Sequence, residues 1–147
     1  MRVVLSGGGT GGHVYPALAI ASELASQSAD PSRRCEVLFI GSRSGIEGEL
    51  AAKAGLPFQG VMAAPVLGRP PWGAAASAAK LAIGLGQSLG VLRRRRPDVI
   101  LATGGYVCVP VVLAGWLLRV PSLIYLPDVE PGQAVRFLSR FARRVGV

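Results

Sequence analysis

The stretch MRVVLSGGGTGGHVYP, residues 1–16, decides how the chain is read. A short β-rich run at 2–6 leads into glycines, and Gly7, Gly9 and Gly12 fall on G-x-G-x-x-G spacing. In such a turn the glycines let the backbone bend tightly and approach a ligand. The first amides of the helix that follows have no carbonyl partner, so they favour negative charge. The dinucleotide reading of this spacing also wants an acidic residue at the end of the second strand to hold a ribose. Here that strand ends Ile40-Gly41-Ser42-Arg43. Arg43 suits a 2′-phosphate, which keeps an NADP-dependent oxidoreductase open as an alternative. His13 would crowd a pyrophosphate held by the last glycine, yet it is placed to face a substrate hydroxyl. No Gly-Lys-Ser/Thr follows, so a nucleoside-triphosphate P-loop is excluded.

Outward from this stretch, strands and helices alternate. Runs rich in β-formers lie at 2–6, 36–41, 58–62, 98–103 and 122–125, and helical stretches at 16–27, 45–54, 74–95, 107–118 and 132–142. Residues 143–147 read as the start of one more strand. Pro16 sits just inside a helix, and Pro57 and Pro121 just before strands, where proline does least harm. The rhythm predicts an α/β fold: a Rossmann-like, doubly wound parallel sheet with helices on both faces. With 147 residues, half of them hydrophobic, one domain is expected over 1–147.

The formal net charge is +8, carried almost wholly by arginine, which directs attention to anionic partners: a phosphate-bearing substrate, an anionic membrane or nucleic acid. Nucleic acid is set aside, because the arginine run lacks interleaved aromatics and matches no recognised module. Cys35 and Cys108 stand apart, with no metal-ligand spacing, and read as reduced thiols; no metal and no cofactor are expected. The first strand runs straight into glycines without the apolar segment of a signal peptide, so a cytoplasmic placement is expected. The uncharged run VILATGGYVCVPVVLAGWLL, 99–118, is long enough to span a bilayer, but Gly104-Gly105 and Pro110 break it as a strand, a turn and a helix would.

In doubly wound sheets, ligands bind at the carboxyl ends of the strands where the strand order reverses. That selects the loop 6–13 and the second glycine loop, Ala102-Thr103-Gly104-Gly105-Tyr106, which also opens a helix. Two such loops side by side make a paired anion site. The alternative is that the glycines merely allow close helix–strand packing. His13, the single histidine, is a candidate general base, since a neutral imidazole accepts a hydroxyl proton; the alternative is a helix cap.

The stretches GGGTGGHVYPALAIA, GSRSGIEGELAAKAGLPF, PDVILATGGYVCVPVVLAG and PGQAVRFLSRFA together resemble the amino-terminal half of the MurG transferases. The resemblance implies one half of a two-domain hexosyltransferase of peptidoglycan synthesis. It also implies inverting transfer of N-acetylglucosamine from UDP-N-acetylglucosamine to the undecaprenyl-pyrophosphate-linked acceptor, lipid I. A donor-binding half, fused or separate, would lie outside these residues, leaving this half inactive alone. By the resemblance, His13 is the catalytic base, and Thr10, Gly11, Gly12, Gly104, Gly105 and Tyr106 line the substrate site. Where the family reads His-Glu-Gln-Asn, this chain reads Tyr125-Leu126-Pro127-Asp128, so Asp128 is expected at the substrate. Cys108-Val109 stands where small residues are usual.

The remaining long stretch, RPPWGAAASAAKLAIGLGQSLGVLRRRR at 69–96, carries Leu81, Leu85, Leu89 and Leu92 on one helical stripe. Ser77, Lys80, Gln87 and Ser88 fall elsewhere on the cylinder. It reads either as a core-facing helix with a basic end or as a membrane contact, with Trp72, Leu81, Leu85 and Leu89 at the interface. In the second reading Arg93, Arg94, Arg95 and Arg96 lie on anionic headgroups. With the lipid-linked acceptor, this leads to an expected place as a peripheral protein on the cytoplasmic face of the bacterial inner membrane. A non-catalytic anion- or membrane-binding module is the third alternative.

Overall fold

The computed structural model of the chain describes residues 1–27, 34–65, 70–126 and 132–146. Its elements run β1 (Arg2–Ser6), α1 (Gly11–Gln27), β2 (Glu36–Ser42), α2 (Glu47–Lys53), β3 (Phe58–Val61), α3 (Pro71–Arg95), β4 (Val99–Ala102), α4 (Cys108–Leu117), β5 (Ser122–Tyr125), α5 (Gln133–Leu138) and β6 (Arg144–Gly146). The strands form one parallel sheet in the order β3-β2-β1-β4-β5-β6. This is the doubly wound arrangement that the alternating sequence predicts, and its strand order reverses between β1 and β4.

Side-chain alternation along the strands sorts the core into two layers. Val4, Leu38, Ile40, Ile100 and Ala102 point to the face covered by α3, α4 and α5, with Leu92, Val111 and Leu138 among their partners. Val3, Leu5, Val37, Phe39 and Leu101 point to the opposite face, against Val14, Ala17 and Ala21 of α1 and Ala51 of α2. Both faces are buried, which is why these strands read as near-continuous apolar runs. The uncharged run at 99–118 is divided between β4 and α4, as its glycines foretell.

Two helix boundaries differ most from the sequence reading. Helix α1 begins at Gly11 rather than at Pro16, so the proline lies inside the helix and has no N–H to give to the Gly12 carbonyl. Helix α5 ends at Leu138, and turns carry the chain from there into β6.

Helix α3 differs more. Its leucine stripe faces inward: Leu92 is buried, and Leu85 and Leu89 pack against the core. The positions read as a polar face are also largely enclosed. Ser77 and Ser88 are buried, and Gln87 Oε1 accepts the Met62 N–H at 2.8 Å, tying the helix to the end of β3. The helix is long and apolar enough to cross a membrane, yet these contacts seat it on the sheet. Of the expected membrane contacts, Trp72 is 78% exposed and Arg93 to Arg96 are exposed. They stand at opposite ends of a helix roughly 38 Å long at 1.5 Å per residue. The arginine end meets the amino edge of the sheet, where the Arg2 guanidinium reaches the Arg95 carbonyl at 3.5 Å. The Trp72 end lies toward the carboxyl edge.

The close seating of α3 on β3 predicts opposite signs for three similar substitutions. A side chain at Gly84 would collide with the Met62 carbonyl, whereas Gly86 and Gly90 face open space. Gly86→Ala and Gly90→Ala are expected to raise stability, each by up to about 1 kcal/mol through helix propensity. Gly84→Ala should lower it by about 1–3 kcal/mol through overpacking. Thermal unfolding of the three variants checks this, and equal gains at all three would contradict the close approach.

Candidate functional site

The reversal point brings the loops after β1 and β4 into contact. The Gly8 N–H donates to the Gly104 carbonyl at 3.3 Å, and the Thr103 N–H donates to the Ser6 carbonyl at 2.9 Å. The Thr103 hydroxyl donates to the His13 main-chain carbonyl, tying the second loop to the first turn of α1. No side chain fits between the loops. A Cβ at Gly105 would collide with the Gly8 carbonyl, and one at Gly104 with the His13 ring. Both glycines have positive φ, 113° at Gly104 and 85° at Gly105, a region open to glycine at little cost. The glycine pair permits the close packing that was one of the two purposes weighed from sequence, and that packing sets the two loops side by side.

His13 is the third residue of α1, half-buried, with its ring lying on Gly104. Its Nδ1 is 2.9 Å from Thr10 Oγ1, and its N–H donates to the Thr10 carbonyl at 3.2 Å. Thr10 and Gly12 are exposed and Gly11 half-buried, so the opening amides of α1 lie at the surface of the crevice. A Cβ at Gly12 would have only Thr10 Oγ1 near it, at 3.8 Å, which leaves room for a ligand at that amide. The Tyr106 ring rests against Gly9, whose φ is 89°. On its other side Tyr106 borders an open apolar groove between α3, α4 and α5, lined also by Leu81, Leu85, Val109, Leu113 and Phe137.

Thus Thr10, Gly11, Gly12, His13, Gly104, Gly105 and Tyr106 come together at one crevice. Asp128 lies outside the described residues. Tyr125 ends β5 exposed and Leu126 is buried. Trp72 and Arg93 to Arg96 belong to α3 and are not part of the crevice. Arg43 lies across β3, with its Nε 3.3 Å from the Gly60 carbonyl, rather than at the glycine loop. Among the described residues no group of His, Cys, Asp and Glu has the arrangement of a metal site.

Sequence reasoning missed two residues. Thr103, fully buried, carries the bond between the loops. Glu47, the first residue of α2, is also fully buried, and its Oε1 accepts the Gly9 N–H at 2.8 Å. Its carboxyl group fits where Gly8 and Gly45 have no side chains, and its Cβ lies where one at Gly41 would come within 2.8 Å. Gly8, Gly41 and Gly45 leave that space, while Gly48 faces Phe58.

A Rossmann-like domain whose two glycine loops and one histidine meet at the reversal point of the sheet is the class that fold and site define. The chain belongs to glycosyltransferase family 28, whose N-terminal domain it matches over residues 3–147. It is 45% identical over 148 residues to the UDP-N-acetylglucosamine–N-acetylmuramyl-(pentapeptide) pyrophosphoryl-undecaprenol N-acetylglucosamine transferase of Desulforudis audaxviator, an alignment covering 100% of this chain and 38% of that protein. The protein of the same name from a Roseiflexus species is 46% identical over 161 residues, with 99% of this chain and 37% of that protein covered. The crystal structure of Acinetobacter baumannii MurG superposes with a TM-score of 0.83 at 29% identity, covering 98% of this chain and 40% of that one. A Streptomyces glycosyltransferase shares the fold, with a TM-score of 0.69 at 18% identity over 94% of this chain and 42% of its own. The chain therefore spans about two-fifths of the length of the curated relatives it matches.

Cys108 packs beneath the two loops. It is fully buried at the start of α4, with Sγ 3.0 Å from the Gly104 carbonyl and 3.3 Å from the Ser6 carbonyl, so the thiol donates within the floor of the crevice. Burial raises its pKa from 9.0 to about 11, because the thiolate loses hydration there. A thiol that ionises later in the folded chain than in the unfolded one contributes stability that is intact below pH 9 and is lost as pH rises toward 11. Stability measured by denaturant unfolding should therefore fall across this window more steeply for the natural chain than for Cys108→Ala. Parallel pH profiles would contradict this.

Proposed function

We propose that this chain is the acceptor-binding half of an N-acetylglucosaminyltransferase. In this reading it holds an undecaprenyl-pyrophosphate-linked sugar, lipid I, while a second half, fused or separate, holds UDP-N-acetylglucosamine. The reading rests on one observation above all: the single histidine lies on Gly104 with its Nδ1 at Thr10, beside the opening amides of α1. A base and an anion cradle are thus within one crevice, as transfer to a pyrophosphate-linked hydroxyl requires. The names of the transferases it resembles at 45% and 46% identity supply the substrate class.

With the proton on Nδ1 and donated to Thr10 Oγ1, Nε2 is the basic nitrogen. The acceptor pyrophosphate lies against the amides of Gly11 and Gly12, where the helix dipole adds favourable potential. The acceptor hydroxyl oxygen forms its bond to the anomeric carbon as Nε2 takes the hydroxyl proton. The bond from that carbon to the UDP oxygen breaks in the same displacement, its electron pair leaving with UDP, and the centre inverts. No covalent nucleophile is required. His13→Ala in the complete enzyme is expected to lower turnover by about a hundredfold or more, the usual range for a general base, with little change in melting temperature. Near-natural turnover at saturating substrate would remove His13 from the mechanism.

A polyprenyl-linked acceptor stays in the bilayer, so the crevice must approach the cytoplasmic face of the membrane, where the protein would be peripheral. Helix α3 carries the contact at two points: the exposed Trp72 at its first turn and Arg93 to Arg96 at its far end. An interfacial ring acts at short range and resists salt, whereas arginines near anionic headgroups contribute about 1 kcal/mol each and are screened. Cosedimentation with anionic vesicles should therefore lose its salt-sensitive part when Arg93 to Arg96 become serine, and its salt-resistant part in Trp72→Ser. Equal salt dependence in both variants would show that overall charge sets the attraction.

A further inference from the structure

The buried carboxylate of Glu47 lies directly behind the first glycine loop, and the mechanism above does not use it. Its Oε1 accepts the Gly9 N–H at 2.8 Å, while its Oε2 is buried with no hydrogen-bond partner among the described residues. An enclosed carboxylate carries a large desolvation cost, and buried oxygens without partners are uncommon. A methionine or leucine would fill the same space without that cost. What the carboxylate adds is an acceptor for one amide.

That amide matters because of where Gly9 stands. With φ at 89°, Gly9 is the residue at which the loop turns toward α1. The next residue, Thr10, holds His13 twice, through Oγ1 to Nδ1 and through its carbonyl to the His13 N–H. The connection from Glu47 to the imidazole is therefore Glu47 to Gly9, Gly9 to Thr10, and Thr10 to His13.

We propose that Glu47 is a positioning residue: its acceptor oxygen fixes the turn at Gly9 and so sets the place of His13. This rests on the reading of the crevice given above. Glu47 touches no substrate, and its effect passes entirely through the loop.

The test uses the complete enzyme with Glu47→Gln and Glu47→Met, which fill similar volumes while only the first keeps an oxygen for Gly9. Melting temperature, kcat and the KM for UDP-N-acetylglucosamine are measured for each. Glu47→Gln is expected to keep kcat within about threefold of the natural enzyme. Glu47→Met should lose about tenfold or more in kcat with donor KM unchanged, as small misplacements of a catalytic group do. Glu47→Met combined with His13→Ala should be no slower than His13→Ala alone, because the two act through one group. Should Glu47→Met fail to fold, Glu47→Asp, whose acceptor is withdrawn by one methylene, takes its place with the same expected loss. Equal kcat for the Gln and Met variants, or a double variant slowed by the product of the two effects, overturns the inference. A folded, fully active Glu47→Met beside a crippled His13→Ala overturns it while leaving the crevice reading intact; natural turnover in His13→Ala overturns both.

Discussion

The site depends on how closely two loops approach each other. The loops after β1 and β4 meet where the strand order reverses, and they meet backbone to backbone, with the Gly8 carbonyl against Gly105 and the His13 ring against Gly104. A side chain at either glycine would push the loops apart. Thr103 would then lose its hold on the His13 carbonyl, and the first turn of α1 would no longer be fixed against β4. The register of the sheet sets this approach, since Ser6 pairs with Ala102 and the chain leaves both strands at the same level.

Two layers of packing support that meeting point from opposite sides. On one face α1 is fixed by Val14, Ala17 and Ala21, so the helix that carries His13 cannot slide along β1. On the other face Cys108, Val111 and Val112 fix α4, the helix opened by the second loop. The crevice is therefore held by two well-packed helices whose first turns face each other. Such a scaffold keeps His13 and the opening amides of α1 at fixed separation, which the proposed alignment of an acceptor hydroxyl requires. The apolar groove beside Tyr106 continues from this crevice between α3, α4 and α5.

Much of this was legible in the sequence, and the limits have physical causes. The alternation of strands and helices, the doubly wound sheet and both glycine loops follow from hydrophobic runs and turn residues. Pro16 misplaced the start of α1, because proline is usually read as an N1 residue, and here the helix runs through it from Gly11. The stripe of Leu85, Leu89 and Leu92 has the same period whether it faces core or lipid, so only the packing of α3 on β3 and α4 decided its direction. Glu47 was invisible for a different reason. A carboxylate at the start of a helix is ordinarily a solvated residue complementing the dipole, and its burial is produced by glycines that come from three separate segments. Thr103 likewise gives no signal, because its hydroxyl finds its partner across 90 residues of chain.

The central claim is that the two loops form one acceptor site in which His13 faces the reacting hydroxyl. The most direct measurement is a crystal structure of the complete enzyme with a short-chain polyprenyl-pyrophosphoryl sugar acceptor. The pyrophosphate is expected on the Gly11 and Gly12 amides and the acceptor hydroxyl within hydrogen-bonding reach of the His13 imidazole. An acceptor bound with its pyrophosphate away from both loops, or with His13 turned from the sugar, would contradict it.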